Sequence, residues 1–132
     1  MVPQSVSDYL TAGRDRHLGE LSELLAIPSM ASVRDGACRR AAEWLVGRME
    51  QLGLTARIVE GAGPPNVIAG LHVADDRPTL LIYGHYDVQP PEPLDKWRSD
   101  PFSPQVRDGR LYARGASDDK GQLYAHLMAI EA

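Results

Sequence analysis

One imidazole and three carboxylates, His85, Asp87, Asp118 and Asp119, lie beside glycines at the ends of segments that read as ordered. Imidazole nitrogen and carboxylate oxygen are donors for zinc and related divalent ions, so the set reads as a metal site or half of one. The first pair closes an apolar run, Leu80-Leu81-Ile82-Tyr83, in Gly84-His85-Tyr86-Asp87-Val88-Gln89-Pro90. In extended backbone, side chains two apart share a face, which points His85 and Asp87 the same way. Asp87 is then placed to take the second ring N–H of a ligating histidine and fix its tautomer. The same residues also fit a strand-end histidine bonded to backbone, followed by an aspartate that opens a turn. The second pair, Asp118-Asp119-Lys120-Gly121, precedes a helical pattern. One aspartate suffices to cap a helix and to favour the positive end of its dipole. A second adjacent carboxylate adds repulsion unless a cation lies near, and a divalent metal would supply one.

Specific elements must hold these groups. Residues 80–83 read as a strand buried on both faces, as in the middle of a parallel sheet. His85 then falls at the carboxyl end, where the ligands of such sheets collect. The loop that follows holds five of the ten prolines, Pro90, Pro91, Pro93, Pro101 and Pro104, a narrow conformational range suited to a site wall. Trp97 and Phe102 are expected to pin it by packing. Asp108-Gly109 signals a hairpin turn with short arms at 105–107 and 110–113, and 120–132 reads as a helix with Leu123, Leu127 and Ile130 on one face.

Upstream, a first helix capped by Ser5 or Ser7 is expected to run to about Ala26, with Leu10, Leu18, Leu21, Leu24 and Leu25 on its face. The residue before Pro28 ends it. A second helix covers 37–52, with Ala41, Ala42, Leu45, Val46, Met49 and Leu52 as its stripe, Trp44 as a packing anchor and Gly53 just past its end. Two strands, 54–60 and 66–71, flank the turn cluster Gly61-Ala62-Gly63-Pro64-Pro65. His17 is expected on a helix surface, His72 in a solvated acidic turn, and His126 packed or exposed mid-helix. The fold class is therefore α/β, a mixed sheet flanked by helices.

Taken together, Gly84-His85-Tyr86-Asp87-Val88-Gln89-Pro90, Trp97, Pro101-Phe102, Asp108-Gly109-Arg110-Leu111-Tyr112-Ala113-Arg114-Gly115 and Asp118-Asp119-Lys120-Gly121 resemble the di-zinc amidohydrolase family. Its members include carnosinase-type dipeptidases, glutamate carboxypeptidases, aminoacylases and the acetylornithine and succinyl-diaminopimelate deacylases. Val88-Gln89-Pro90 and the double aspartate are most similar to the dipeptidase branch. The resemblance implies that residues 1–132 are the N-terminal portion of a metallopeptidase catalytic domain, with the rest of that domain and a dimerisation domain absent.

By the same resemblance His85 is a ligand of one zinc, Asp87 the catalytic aspartate supporting the site behind it, and Asp118 the carboxylate bridging two metals. Asp119 is then a supporting or solvent-facing group. The ligating atoms of His85 and Asp118 should come within roughly 3–5 Å of each other, and the Asp118–Asp119 peptide should be cis. The implied chemistry is hydrolysis of a dipeptide or small-peptide amide by a water activated between two Zn2+ ions, with Mn2+ or Co2+ as alternatives. A deacylase of N-acyl amino acids or a non-catalytic remnant would keep the same scaffold. The family's Glu-Glu pair, which supplies base and ligand, has no counterpart here. Glu131 would lie about 20 Å along its helix from Asp118. The chain alone is therefore expected to be inactive, and the full-length form to be a homodimer.

Composition excludes other classes. A net charge of −4 with no basic cluster argues against a nucleic-acid surface. No run approaches 18 apolar residues and no basic start precedes an apolar core, which leaves no membrane partner and a cytoplasmic location as the expectation. Cys38, the one cysteine, lacks an internal disulfide partner and reads as small core filler.

Overall fold

The computed structural model describes residues 2–132, and its order of elements follows the sequence closely. Two N-terminal helices, α1 (Gln4–Ala12) and α2 (Arg14–Ala26), lead to α3 (Ala37–Gln51). A hairpin of β1 (Thr55–Val59) and β2 (Asn66–Gly70) packs on α3. A smaller hairpin, β3 (Gln105–Arg107) and β4 (Arg110–Tyr112), precedes the closing helix α4 (Lys120–Glu131).

The core lies where α2, α3 and α4 meet, with Leu24, Ala41, Leu45, Tyr124, Leu127 and Met128 buried together. Trp44 packs against this cluster, its ring 6.4 Å from that of Tyr124, and Cys38 is buried as filler. Gly53, with φ +83°, turns the chain out of α3 while Leu54 N–H reaches back to the Met49 carbonyl. In the smaller hairpin Asp108 and Gly109 both take positive φ, 50° and 72°, as a two-residue turn matched to the twist of its strands requires.

Three expectations are corrected. The first helix is two helices, divided at Gly13, where the His17 ring fills the space that a side chain would need; a Cβ there would sit 2.6 Å from His17 Cε1. Ser5 and Ser7 lie within α1, whose N-cap position is Pro3. The buried face of α4 is Lys120, Tyr124, Leu127 and Met128, so Ile130 is left exposed and Leu123 half-buried. The third correction is the largest. Residues 80–83 are not a central strand: they pair with no strand among the described residues, and Leu80, Leu81 and Tyr83 are 82–88% exposed. A strand exists only through the backbone it pairs with, and both sheets here are two-stranded antiparallel hairpins elsewhere in the chain.

This unpaired apolar stretch lies beside Ile68, Leu71 and Ile130, which line the same groove. An exposed, unpaired apolar segment of this kind promotes association. Light scattering should therefore show concentration-dependent self-association of the chain, and Leu81→Lys should suppress it without changing the far-ultraviolet dichroism. No helix among the described residues is long and apolar enough to cross a membrane.

Candidate metal centre

Two loops meet to form the site. The first, residues 84–90, is held from below by Ser29, fully buried just beyond α2. The Ser29 hydroxyl donates to the Tyr86 carbonyl at 2.6 Å, and the Ser29 carbonyl accepts the Val88 N–H at 2.9 Å. The Tyr86 hydroxyl donates to the Pro65 carbonyl, tying the same loop to the β1–β2 turn, and burial pushes this phenol up to about 12. The second loop, residues 113–119, turns through Gly115 at φ +86°. A Cβ on Gly115 would lie 2.9 Å from Val88 Cγ1, so the glycine permits the two loops to touch.

Their meeting brings His85 to Asp118. The distance from His85 Nε2 to Asp118 Oδ1 is 3.1 Å across 33 positions of sequence. On the other ring edge, His85 Nδ1 lies 3.1 Å from the Asp87 carbonyl oxygen and 3.2 Å from its carboxylate Oδ1. The His85 backbone N–H donates to Asp119 Oδ2 at 3.0 Å. Burial works against a charged imidazole, but the carbonyl and charge of Asp87 and the Asp118 carboxylate outweigh it and hold the His85 pKa above its ordinary value.

The two adjacent aspartates do different jobs. Asp119 occupies the N-cap position of α4 without making a side-chain cap bond, and its carboxylate braces His85 instead. Asp118 is 82% exposed and faces the open recess, and the peptide between the two is cis. His85, Asp87, Val88, Gln89, Arg114, Ser117 and Asp118 line that recess of about 280 Å³.

The donor set fits one edge of a zinc site. Metal–donor bonds of about 2.0–2.2 Å place two ligands of one tetrahedral ion roughly 3.3–3.6 Å apart, close to the 3.1 Å found between His85 and Asp118. A carboxylate and a carbonyl behind the second ring nitrogen form the usual outer support of a ligating histidine. Among the described residues no three His, Cys, Asp or Glu side chains converge as a fuller metal site. The other histidines lie apart: His17 is half-buried near Glu131, His72 pairs with Asp75 in an exposed turn, and His126 is exposed on α4.

Several residues of this neighbourhood escaped the sequence reading. Lys120 is fully buried, its ammonium donating to the Leu24 carbonyl at 2.9 Å and the Ile27 carbonyl at 2.6 Å, and burial lowers its pKa to about 8. Arg114 lies over the Trp97 ring and donates to the Pro90 carbonyl at 3.1 Å, while Trp97 Nε1 donates to the Pro91 carbonyl at 2.7 Å. Together they brace the proline-rich wall, which contains a cis bond at Glu92–Pro93. The only signal for Lys120 was its place directly after the double aspartate. Ser29 carried none, because its partners are backbone atoms 57 and 59 residues away in sequence.

The chain is similar to several known peptidases and deacylating enzymes. Residues 81–132, the stretch that carries most of the site, match the family described as Peptidase family M20/M25/M40. Over 129 residues the chain is 39% identical to the cysteinylglycine-S-conjugate dipeptidase of Corynebacterium striatum, covering 96% of this chain and 28% of that enzyme. A succinyl-diaminopimelate desuccinylase of Xylella fastidiosa is 38% identical over 109 residues, covering 83% of this chain and 27% of the relative. The crystal structure of the M20 family metallo-carboxypeptidase Sso-CP2 from Sulfolobus solfataricus superposes with a TM-score of 0.81 at 42% identity, over 87% of this chain and 26% of that one. The fold is thus that of M20 peptidase catalytic domains. The chain spans less than a third of the length of these relatives.

Proposed function

We propose that this chain supplies one edge of the active site of a zinc-dependent peptidase that cleaves the amide bond of dipeptides or small peptides. The observation that carries the reading is the 3.1 Å approach of His85 Nε2 to Asp118 Oδ1, made by two loops distant in sequence. His85 and Asp118 would hold the metal, zinc being the first choice and Mn2+ or Co2+ acceptable to the same donors. When bound, such an ion polarises the amide carbonyl and lowers the pKa of water.

The chain's own residues prepare that chemistry. With its proton on Nδ1 directed at Asp87, His85 turns the Nε2 lone pair toward the recess, and Asp87 raises its basicity as a donor. Asp119 fixes the backbone of His85, so the exposed carboxylate of Asp118, rather than that of Asp119, would hold the metal beside His85. No carboxylate among the described residues is placed as a general base, and a positioned base contributes about 10²–10⁴-fold. Turnover by the 132-residue chain should accordingly fall short of that of longer relatives by at least this factor. The match to a desuccinylase favours a second substrate class, N-acyl amino acids, processed by the same site. Continuing the same reading, the complete protein is a cytoplasmic homodimer, which fractionation and sedimentation would test.

The direct test is Co2+ binding followed by visible absorption. The chain should bind the ion weakly, and His85→Ala or Asp118→Asn should abolish the spectrum. Binding unchanged in both variants would remove the site. A panel of dipeptides and N-acyl amino acids, run on the product of the complete reading frame with added Zn2+, Mn2+ or Co2+, decides between the substrate classes.

A further inference from the structure

The fully buried Lys120 stands directly after the two aspartates and forms no ion pair among the described residues. Its ammonium donates to the Leu24 and Ile27 carbonyls at the end of α2, which also accept the Ile27 and Ser29 N–H, and a cation is favoured at that end of a helix. Its stem packs against the loop turn, Cδ lying 3.3 Å from where a Gly115 Cβ would be. Two residues beyond Ile27, buried Ser29 grips the backbone on both sides of Asp87 through Tyr86 and Val88. A continuous path therefore runs from Asp118 and Asp119 through Lys120, residues 24–29 and Ser29 to the segment bearing His85 and Asp87.

A lysine is a poor choice if stability were its sole purpose, because burying an ammonium is costly and an apolar side chain could fill the volume. It is well suited to tying segments together, since one ammonium can donate to more than one carbonyl, here those of Leu24 and Ile27. We infer that Lys120 and Ser29 are positioning residues that set the separation of His85 from Asp118. The inference rests on the proposed metal site only for its consequence in metal affinity; the positioning itself is a property of the metal-free chain.

The test compares the 132-residue chain with its Lys120→Met and Ser29→Ala variants. Without metal, hydrogen exchange is measured at the His85 amide, whose partner is Asp119, and at the Leu45 amide in the α3 core. Co2+ affinity is then measured by absorption. Exchange at His85 should quicken by about tenfold beyond any change at Leu45, the order expected from losing one hydrogen-bonded tie, and Co2+ should bind about tenfold more weakly. Equal acceleration at the two amides, or no change at His85, overturns the inference by assigning the pair to general stability. If Lys120→Met does not fold, Ser29→Ala decides by the same readings. Faster His85 exchange in a chain whose wild type binds no Co2+ would sustain the positioning and overturn the metal reading instead.

Discussion

Gly121→Ala should cost the chain several kcal/mol and take the site apart, although an alanine in a helix normally stabilises. Gly121 lies in the first turn of α4, and its backbone φ is open to any residue. On propensity alone the substitution would gain up to about 1 kcal/mol. A Cβ there, however, would stand 2.1 Å from the Ala116 carbonyl oxygen. The obstacle is backbone rather than the tip of a flexible side chain, so relief requires moving the loop. That loop carries Asp118, and it is also tied to Gly121 through the Gly115 carbonyl, which accepts the Gly121 N–H at 3.2 Å. Overpacking against an atom that can shift costs about 1–3 kcal/mol, and an immovable one costs more. Urea unfolding should show at least that loss, and the Co2+ spectrum should disappear. Gly47→Ala in α3, where nothing lies within 4 Å of the new Cβ, should instead be neutral or stabilising. Similar behaviour of the two variants would mean that the contact at Gly121 does not constrain the loop.

Gly121 also marks where sequence reading reached its limit. The order Asp-Asp-Lys-Gly announced a helix start, and α4 begins at Lys120; the expected approach of His85 to Asp118 is found at 3.1 Å. Local periodicity and turn chemistry fixed α3, both hairpins and the Asp108-Gly109 turn, because each depends on residues near in sequence. What periodicity could not show was which backbone a segment would meet. The apolar run 80–83 has every local feature of a buried strand, yet it lies unpaired and exposed. Pairing is a property of two segments, and one pattern describes only one of them. Ser29 and Lys120 escaped for the same reason, since their partners are carbonyls and amides brought near by the fold. Asp119 was legible as a residue but not as a contact. Its carboxylate was weighed as a cap or a second-tier group, and only the geometry shows it holding the His85 N–H.

Glu131 was legible only in what it does not do. Helical rise removed it from the site, and the structure assigns it to a charge cluster that joins three helices. Arg48 of α3 is buried, its side chain 8% exposed, with Nε 2.8 Å from Glu20 on α2 and Nη2 2.8 Å from Glu131 on α4. Arg16 completes the arrangement at 2.8 Å from Glu20 and 2.9 Å from Glu131, and the Tyr124 hydroxyl donates to Glu20 at 2.6 Å. Removing one partner of a buried charged pair costs about 3–5 kcal/mol, because the other charge stays desolvated. Arg16 remains to serve both carboxylates, so Arg48→Met should fall near the lower end, about 3 kcal/mol, by urea unfolding followed by tryptophan fluorescence.

The acid limb of the stability curve should change with it. Burial opposes ionisation of Glu20 and Glu131, but hydrogen bonds from Tyr124 and Arg16 to Glu20, and from Arg16 and Tyr9 to Glu131, outweigh it, with the Arg48 and Arg16 charges adding to both. Both carboxyls are thereby held below their ordinary value of 4.5. A carboxyl with a depressed folded-state pKa binds fewer protons in the native chain than in the unfolded one, so its contribution is complete above the unfolded value and drains away as the pH falls below it. Wild-type stability should therefore decline as the pH drops through 4.5 and beyond, and the decline should be shallower in Arg48→Met, which has less depression to lose. A parallel pair of curves, offset but equal in slope from pH 6 to pH 3, would show that Arg48 contributes to packing alone and not to the ionisation of its neighbours.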